Sequence, residues 1–238
     1  LIPEINAGHV DLIERQRAEH GWSGLIVTSP NCTTTGVALT VKPLHDAFGL
    51  RTCFMVSMQA ISGAGYPGVA AFDILDNVVP YIPGEEEKFQ QELSKMLGRM
   101  ERGRIVSADL VLSAHANRVP VLDGHTVSLS LGFEREPTVE AAIEALRGYE
   151  TPSVVTALPS APATPVRVRT EPDRPQPRRD RGAAGGMAVS VGRVRPCPVL
   201  DLRLTTVTHN TIRGAAGGAL LNAELLVASG YVQRPTAH

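Results

Sequence analysis

The sequence has few cysteines, little net charge and no long apolar run, and each lack excludes something. Its 238 residues include only three cysteines, Cys32, Cys53 and Cys197, odd in number and without paired spacing. That pattern builds neither a disulfide framework nor a zinc site, and it suits a reducing, cytoplasmic setting. No stretch approaches the length needed to span a bilayer, and no charged-then-apolar leader opens the chain. A net charge of −1 gives no electrostatic reason to expect nucleic acid or an anionic membrane as partner. No internal repeat is present. An initial methionine is also missing, since the chain opens Leu1-Ile-Pro-Glu. A fragment or a processed product is therefore expected.

What is there is ordinary globular material, 43% hydrophobic, enough to bury a core as one large or two small domains. Apolar, β-branched Gly24–Thr28 reads as a buried strand. The apolar spacing of Val37, Leu39, Val41, Leu44 and Phe48 reads as a helix. Between them Pro30-Asn31-Cys32 falls at a strand-to-helix turn, with Thr33, Thr34 and Thr35 available as caps. Free N–H groups and the positive end of the helix dipole would lower a thiol's pKa there and could receive an oxyanion. The plainer alternative, a small buried hydrophobe, is the common fate of a free cysteine.

Elsewhere the reading is coarser. His9–His20 is a short helix closed by Gly21, with Val10, Ile13 and Arg17 inward. Strands are expected over 51–58, 104–113, 126–133, 187–195 and 200–208, and helices over 85–100, 138–148 and 213–230. Gly63, Gly65 and Gly68 make a loop that a ligand can approach closely, but not a Rossmann fingerprint, because no first strand and helix flank it. Glu85, Glu86 and Glu87 suit the first turn of a helix, which accounts for at least two of them. The Pro- and Arg-rich stretch 151–186 interleaves acids with its arginines and lacks aromatics, so an ordered crossing is expected and not a nucleic-acid arm.

Chemistry at Cys32 needs a base and an anion clamp. His125, after the Asp123-Gly124 turn, is the best base by type and setting. Arg118 is the best carboxylate clamp. Each has an ordinary structural alternative, a capped histidine and a surface ion pair. His9, His20, His45 and His238 read as surface residues.

Several long motifs, in order through nearly the whole chain, carry a resemblance. They are Ser29-Pro-Asn-Cys-Thr-Thr-Thr-Gly36, Met58-Gln-Ala-Ile-Ser-Gly-Ala-Gly-Tyr-Pro-Gly68, Asn117-Arg-Val-Pro-Val-Leu-Asp-Gly-His-Thr126, Asp173-Arg-Pro-Gln-Pro-Arg178 and His209-Asn-Thr-Ile-Arg-Gly-Ala-Ala-Gly217. The sequence resembles the aspartate-semialdehyde dehydrogenases of archaea, fungi and some bacteria.

The resemblance implies an α+β catalytic and dimerisation domain, a mixed β-sheet with helices packed on it. It implies residues 1–30 as the end of a nucleotide-binding domain and entry strand, and 31–208 as the catalytic and dimerisation domain. Residues 209–238 would carry a helix returning to the nucleotide-binding domain. Without that domain the helix would have an uncovered apolar face and the chain alone would be inactive or nearly so.

The implied activity is NADP-dependent interconversion of L-aspartate 4-semialdehyde plus phosphate with L-4-aspartyl phosphate, in threonine, methionine and lysine biosynthesis, by a homodimer or homotetramer. Cys32 would be the nucleophile, His125 the acid/base, Gln59 a substrate-positioning group and Asn31 an aid to the oxyanion. Arg118 would bind the substrate carboxylate, Glu85 its amino group and Lys88 phosphate. Ser62, Gly63, Ala64 and Gly65, with Asn210 and Thr211, would lie near the dinucleotide. Glu85 is chosen over Glu86 only by its spacing to Lys88, and Glu86 stays open.

Ala116 stands where the family pattern has cysteine, and Gly182 and Gly185 where it has asparagine. None of these is an implied catalytic position. The alternatives are a related malonyl-CoA reductase and a non-catalytic dimerisation module.

Overall fold

The computed structural model describes residues 1–232; the His238 reading lies outside them. Five longer helices and eight strands organise what is described. They are α1 (Leu12–His20), α2 (Cys32–Phe48), β1 (Leu50–Gln59), α3 (Glu85–Met96), β2 (Arg99–Glu101), β3 (Arg104–Val106), β4 (Val111–Arg118), β5 (His125–Phe133), α4 (Val139–Arg147), β6 (Val166–Val168), β7 (Val189–Pro196), β8 (Leu202–Thr208) and α5 (Gly217–Ala228). Six strands form one mixed sheet in the order β4-β1-β5-β8-β7-β6, and β2 and β3 make a separate hairpin. The β1/β4 and β6/β7 pairs are parallel and the others antiparallel. The α+β expectation holds.

Side chains alternate across a strand, so register decides which residues share a face. Cys53, Met55, Ser57 and Gln59 of β1 point to the side covered by α2, α3 and α4. Ala114, Ala116 and Arg118 of β4, His125, Val127 and Leu129 of β5, and Leu204, Thr206 and Thr208 of β8 share that buried side. The main core lies there, built from Val37, Leu39, Leu44, Leu93, Leu129 and Leu202 among others. On the opposite face Phe54 and Val111 are exposed, 36% and 68% respectively, and among the described residues no helix covers them.

Several expectations need correction. Gly24–Thr28 is neither a strand nor buried. Among the described residues no strand lies beside it. The Gln16 side chain takes its hydrogen bonds, accepting from the Ile26 N–H at 2.7 Å and donating to the Ile26 carbonyl at 3.1 Å. The helix expected over 85–100 stops at Met96, because Gly98 turns the chain into the β2–β3 hairpin. The strand expected over 104–113 is two strands, and β4 runs on through Arg118, so His115 and Arg118 sit on a strand and not in a loop. His9 and His45 are half-buried, not surface residues. His9 Nε2 lies 3.1 Å from the Gly98 carbonyl, and burial lowers the pKa of both rings.

The crossing 151–186 is ordered, as the interleaved charges imply. Asp180 is buried and accepts from Arg174 Nε at 2.7 Å, and β6 adds an edge strand to the sheet. The last helix differs from expectation in how it starts and in having one side covered. It opens with a π-helical turn, Ile212–Ala216, before α5. Its Leu221, Leu225 and Leu226 are not bare but packed with Val10, Ile13, Val155, Leu158 and Met187 in a second cluster. On its other side Leu220 and Val227, with Ala216, Ala219 and Ala223 at helical spacing, are exposed, an apolar stripe that nothing among the described residues covers, as expected.

Candidate active site

The sheet register brings distant residues into one row. Arg118, last in β4, pairs with Gln59, last in β1. Next across the sheet comes β5, whose Thr126 pairs with Met58, and then His125, first in β5, pairs with Thr208, last in β8. All four side chains are buried at the same end of the same face. The N-terminus of α2 is pressed against this end. Gly36, one turn after Cys32, lies so close to Thr208 that an added Cβ would stand 2.1 Å from its hydroxyl oxygen.

Cys32 Sγ is 3.2 Å from His125 Nε2. The other ring nitrogen, Nδ1, accepts the backbone N–H of Ala60 at 3.0 Å. The Ala60 carbonyl in turn accepts from Arg118 Nη1 at 2.8 Å. One buried residue whose side chain is a methyl thus holds both the imidazole and the guanidinium. Sequence reasoning had no way to select Ala60, because its work is done by backbone atoms. Gly63 closes the group from above: a Cβ there would stand 2.7 Å from Arg118 Nη1 and 2.9 Å from His125 Cε1.

An acidic group lies beside the sulfur. Glu85, first in α3, accepts from Asn31 Nδ2 at 2.8 and 3.0 Å and from Gln59 Nε2 at 3.0 Å. Lys88 Nζ is 3.9 Å from Glu85 Oε1 and its side chain is exposed. Glu86 is separately occupied, accepting the Ala116 N–H at 2.9 Å, which gives it a role beyond stabilising the helix. The helix cap also differs from expectation. Asn31, not the threonines, caps α2, its Oδ1 accepting from Thr33 N at 2.8 Å and Thr34 N at 3.3 Å. An Asn side chain reaches back over its own first turn, while the threonines are already inside the helix. With its amide nitrogen on Glu85, Asn31 orients the carboxylate in this structure.

The electrostatics overturn one expectation. Burial, then the nearby Glu85 charge, raise the Cys32 pKa above its ordinary value, and the N–H groups at the helix start offset this only in part. His125 is pushed down to about 3, by burial first, then by Arg118 and His209. Both shifts favour a neutral imidazole beside a thiol over an ion pair. Cys53 is fully buried and raised to about 12 by burial, which makes it inert.

The glycine loop and the segment after β8 meet over the same region. Buried Asn210 accepts the Gly124 N–H at 2.8 Å and donates to Ser62 Oγ at 2.8 Å, tying the turn before His125 to the loop after β1. Its side chain is internal, whereas Thr211, Ala64 and Gly65 are exposed. The 3-10 turn Ile61–Ala64 and the loop through Gly68 lead only to the four-residue helix Ala71–Ile74, so this is no Rossmann phosphate cradle. Gly214 packs on the thiol residue itself, where a Cβ would stand 2.6 Å from Cys32 Cβ.

A strand-end row on a mixed sheet faces a capped helix, and thiol, imidazole and guanidinium converge there. Residues 41–213 match the family model described as semialdehyde dehydrogenase, dimerisation domain. The chain belongs to the semialdehyde dehydrogenase family. It is 49% identical to the aspartate-semialdehyde dehydrogenase of Archaeoglobus fulgidus over 95% of this chain and 65% of that one. It is 45% identical to the Trichophyton rubrum enzyme of the same name over 98% of this chain and 67% of that one. A crystal structure of the Candida albicans enzyme with NADP matches with a TM-score of 0.86 at 40% identity, covering 98% of this chain and 67% of that chain. The chain therefore spans about two thirds of the length of these relatives.

Proposed function

We propose that this chain carries the acyl-transfer site of an aspartate-semialdehyde dehydrogenase. The observation that supports it most is the 3.2 Å contact of Cys32 Sγ with His125 Nε2, with Arg118 held by the same Ala60. In this reading Cys32 attacks the aldehyde carbon of L-aspartate 4-semialdehyde, and Arg118 grips the α-carboxylate. Glu85, oriented by Asn31 and Gln59, faces the amino group, and Lys88 draws phosphate to the thioester on Cys32. The open side of the Ser62–Gly65 turn, where Gly65 faces free space, with exposed Thr211, suits the flat nicotinamide end of NADP. NADP, when bound, supplies the hydride acceptor.

The second hydrophobic cluster joins Val10 and Ile13 to α5 together with Val155, Leu158 and Met187, while Ile2 and Ile5 pack in the main core. The contact of Val10 and Ile13 with α5 supports reading part of 1–30 and the described part of the C-terminal segment as one flank of a catalytic body spanning 31–208. The family model is that of a dimerisation domain. The bare sheet face of Phe54 and Val111 is the surface we assign to a homodimer. Among the described residues no helix is long and apolar enough to cross a membrane. The three free thiols suit the cytoplasm.

The reverse acyl-transfer step tests this reading without any nucleotide. The chain is mixed with L-4-aspartyl phosphate, and released phosphate and protein mass are followed. One phosphate released per chain, with an aspartyl adduct on Cys32, supports the reading. Acylation by malonyl-CoA alone would favour the related reductase, and no adduct with either would leave a non-catalytic dimerisation module.

A further inference from the structure

We propose that Glu92 is a positioning residue for the nucleophile: its carboxylate holds the backbone N–H of Asn31 and so fixes where α2 begins and where Cys32 sits. This deepens the acyl-transfer reading and rests on it for the acylation rate alone. The clamp on the main chain stands on the geometry by itself.

Cys32 is the first residue of α2, so its placement depends on how the chain enters that helix. The entry has no sheet partner. Among the described residues 24–30 belong to no strand, and Pro30 has no N–H to donate. Side chains from other elements hold the segment instead. Gln16 bonds Ile26, and Asn222 of α5 donates to Ser29 Oγ at 3.0 Å. Asn31 carries the last main-chain donor before the thiol residue. Glu92 Oε2 accepts that N–H at 2.8 Å.

Many helix starts carry this clamp in their own sequence. In a capping box the third helical residue is Glu or Gln, and its side chain reaches back to the N-cap N–H. In α2 that position is Thr34, whose buried hydroxyl has no partner among the described residues. The reciprocal bond is missing from α2, and a carboxylate of α3 supplies it.

The placement of α3 makes this possible. Glu85 and Glu92 lie about two turns apart along that helix, and so on one side of it. Glu85 takes the Asn31 side-chain amide at 2.8 Å while Glu92 takes its main-chain N–H, so α3 grips the cap residue at both ends. Phe89, Leu93 and Met96 of the same helix are buried in the main core, which fixes the grip relative to the sheet. The two carboxylates divide the work. Glu85 is the charge that raises the thiol's pKa. Glu92 supplies an acceptor at a fixed place one residue before the sulfur. A nucleophile displaced by about 1 Å can lose about a hundredfold in rate, so a bond at this point bears directly on acylation.

Three forms of the 238-residue chain test this: unchanged, Glu92→Leu and Glu92→Gln. Leucine removes the acceptor, whereas glutamine keeps an acceptor oxygen and drops the charge. Should Glu92→Leu fail to fold, Glu92→Ala takes its place with the same expectations. Acylation by L-4-aspartyl phosphate is followed by adduct mass over time. Its maximal rate constant should fall about tenfold or more in Glu92→Leu, with the half-saturating concentration within about twofold. Glu92→Gln should recover the rate to within about threefold of the unchanged chain. A mere loss of folded protein lowers the amount of adduct and not its rate constant. Amide exchange, read by nitrogen-15 spectra, checks the clamp without any chemistry. The Asn31 and Thr33 N–H groups should exchange about tenfold faster in Glu92→Leu and close to normally in Glu92→Gln. An unchanged acylation rate, an unchanged exchange, or a glutamine variant as slow as the leucine one would each overturn the proposal. If even the unchanged chain takes up no acyl group, the enzymatic reading fails, and the exchange result alone decides whether Glu92 clamps the cap.

Discussion

Gly214 stands against Cys32 so closely that a single added methyl would sit 2.6 Å from the Cys32 Cβ and 2.9 Å from its Cα. Cys32 begins α2 and Gly214 lies in the π-helical turn, so neither backbone can yield alone. Gly214→Ala should cost about 1–3 kcal/mol by overpacking. Its larger effect should be on the thiol's aim, lowering acylation by L-4-aspartyl phosphate more than tenfold. Thermal unfolding and adduct mass, measured on the same preparation, separate the two effects.

Glu85→Gln should move two readouts in opposite directions. The Glu85 charge raises the Cys32 pKa, so removing it should lower that pKa and speed alkylation of Cys32 at pH 7 several-fold. Acylation by the amino-bearing substrate should fall, because the carboxylate held by Asn31 and Gln59 is gone. Faster alkylation with slower acylation is the expected pair.

Cys197, not Cys32, should be the first thiol labelled by iodoacetamide at neutral pH. Partial burial works against its ionisation, yet the N–H groups of Leu200 and Val199, with Ser130 and Arg203, lower its pKa overall. Peptide mapping should show Cys197 modified first, Cys32 later and Cys53 untouched.

Stability should fall on acidification through the histidine range. The folded pKa of His125, about 3, lies below the ordinary 6.5, so the folded state binds fewer protons. Its contribution is complete above about pH 6.5 and is lost as the pH drops toward 3, at up to about 1.4 kcal/mol per unit. His9, His45 and His209 are shifted in the same direction, by burial first. Urea midpoints from pH 8 to 4 should decline, and His125→Gln should flatten the slope.

Glu4 and Arg213 form a bidentate pair, both bonds 2.7 Å and each side chain 1% exposed. Glu4→Gln leaves a buried guanidinium without its counter-charge and should cost about 3–5 kcal/mol. Because Arg213 precedes Gly214, the loss should also loosen the packing on Cys32.

Much of the site was legible because its residues are chemically distinctive. Cys32, His125, Arg118 and Gln59 could be picked by type and motif, and the register of β1, β4, β5 and β8 brings them together. Three things were not legible. Ala60 acts through its backbone, which no side-chain reading sees. The direction of the Cys32 shift depends on Glu85 lying beside it, 53 positions away in sequence, whose charge and the burial of the thiol outweigh the helix N-terminus. Gly24–Thr28 has strand composition, but a strand needs a neighbour, and none lies beside it among the described residues.

Sulfur, imidazole and guanidinium share one cleft, and a preference ratio tests this most directly. Acylation of Cys32 by L-4-aspartyl phosphate, which carries an α-carboxylate, is compared with acylation by acetyl phosphate, which does not. Arg118→Leu should erase the preference for the carboxylate, a fall of roughly 10–100-fold in the ratio from one lost charge-assisted contact. An unchanged ratio in a folded variant would place Arg118 away from the bound acyl group and contradict the account.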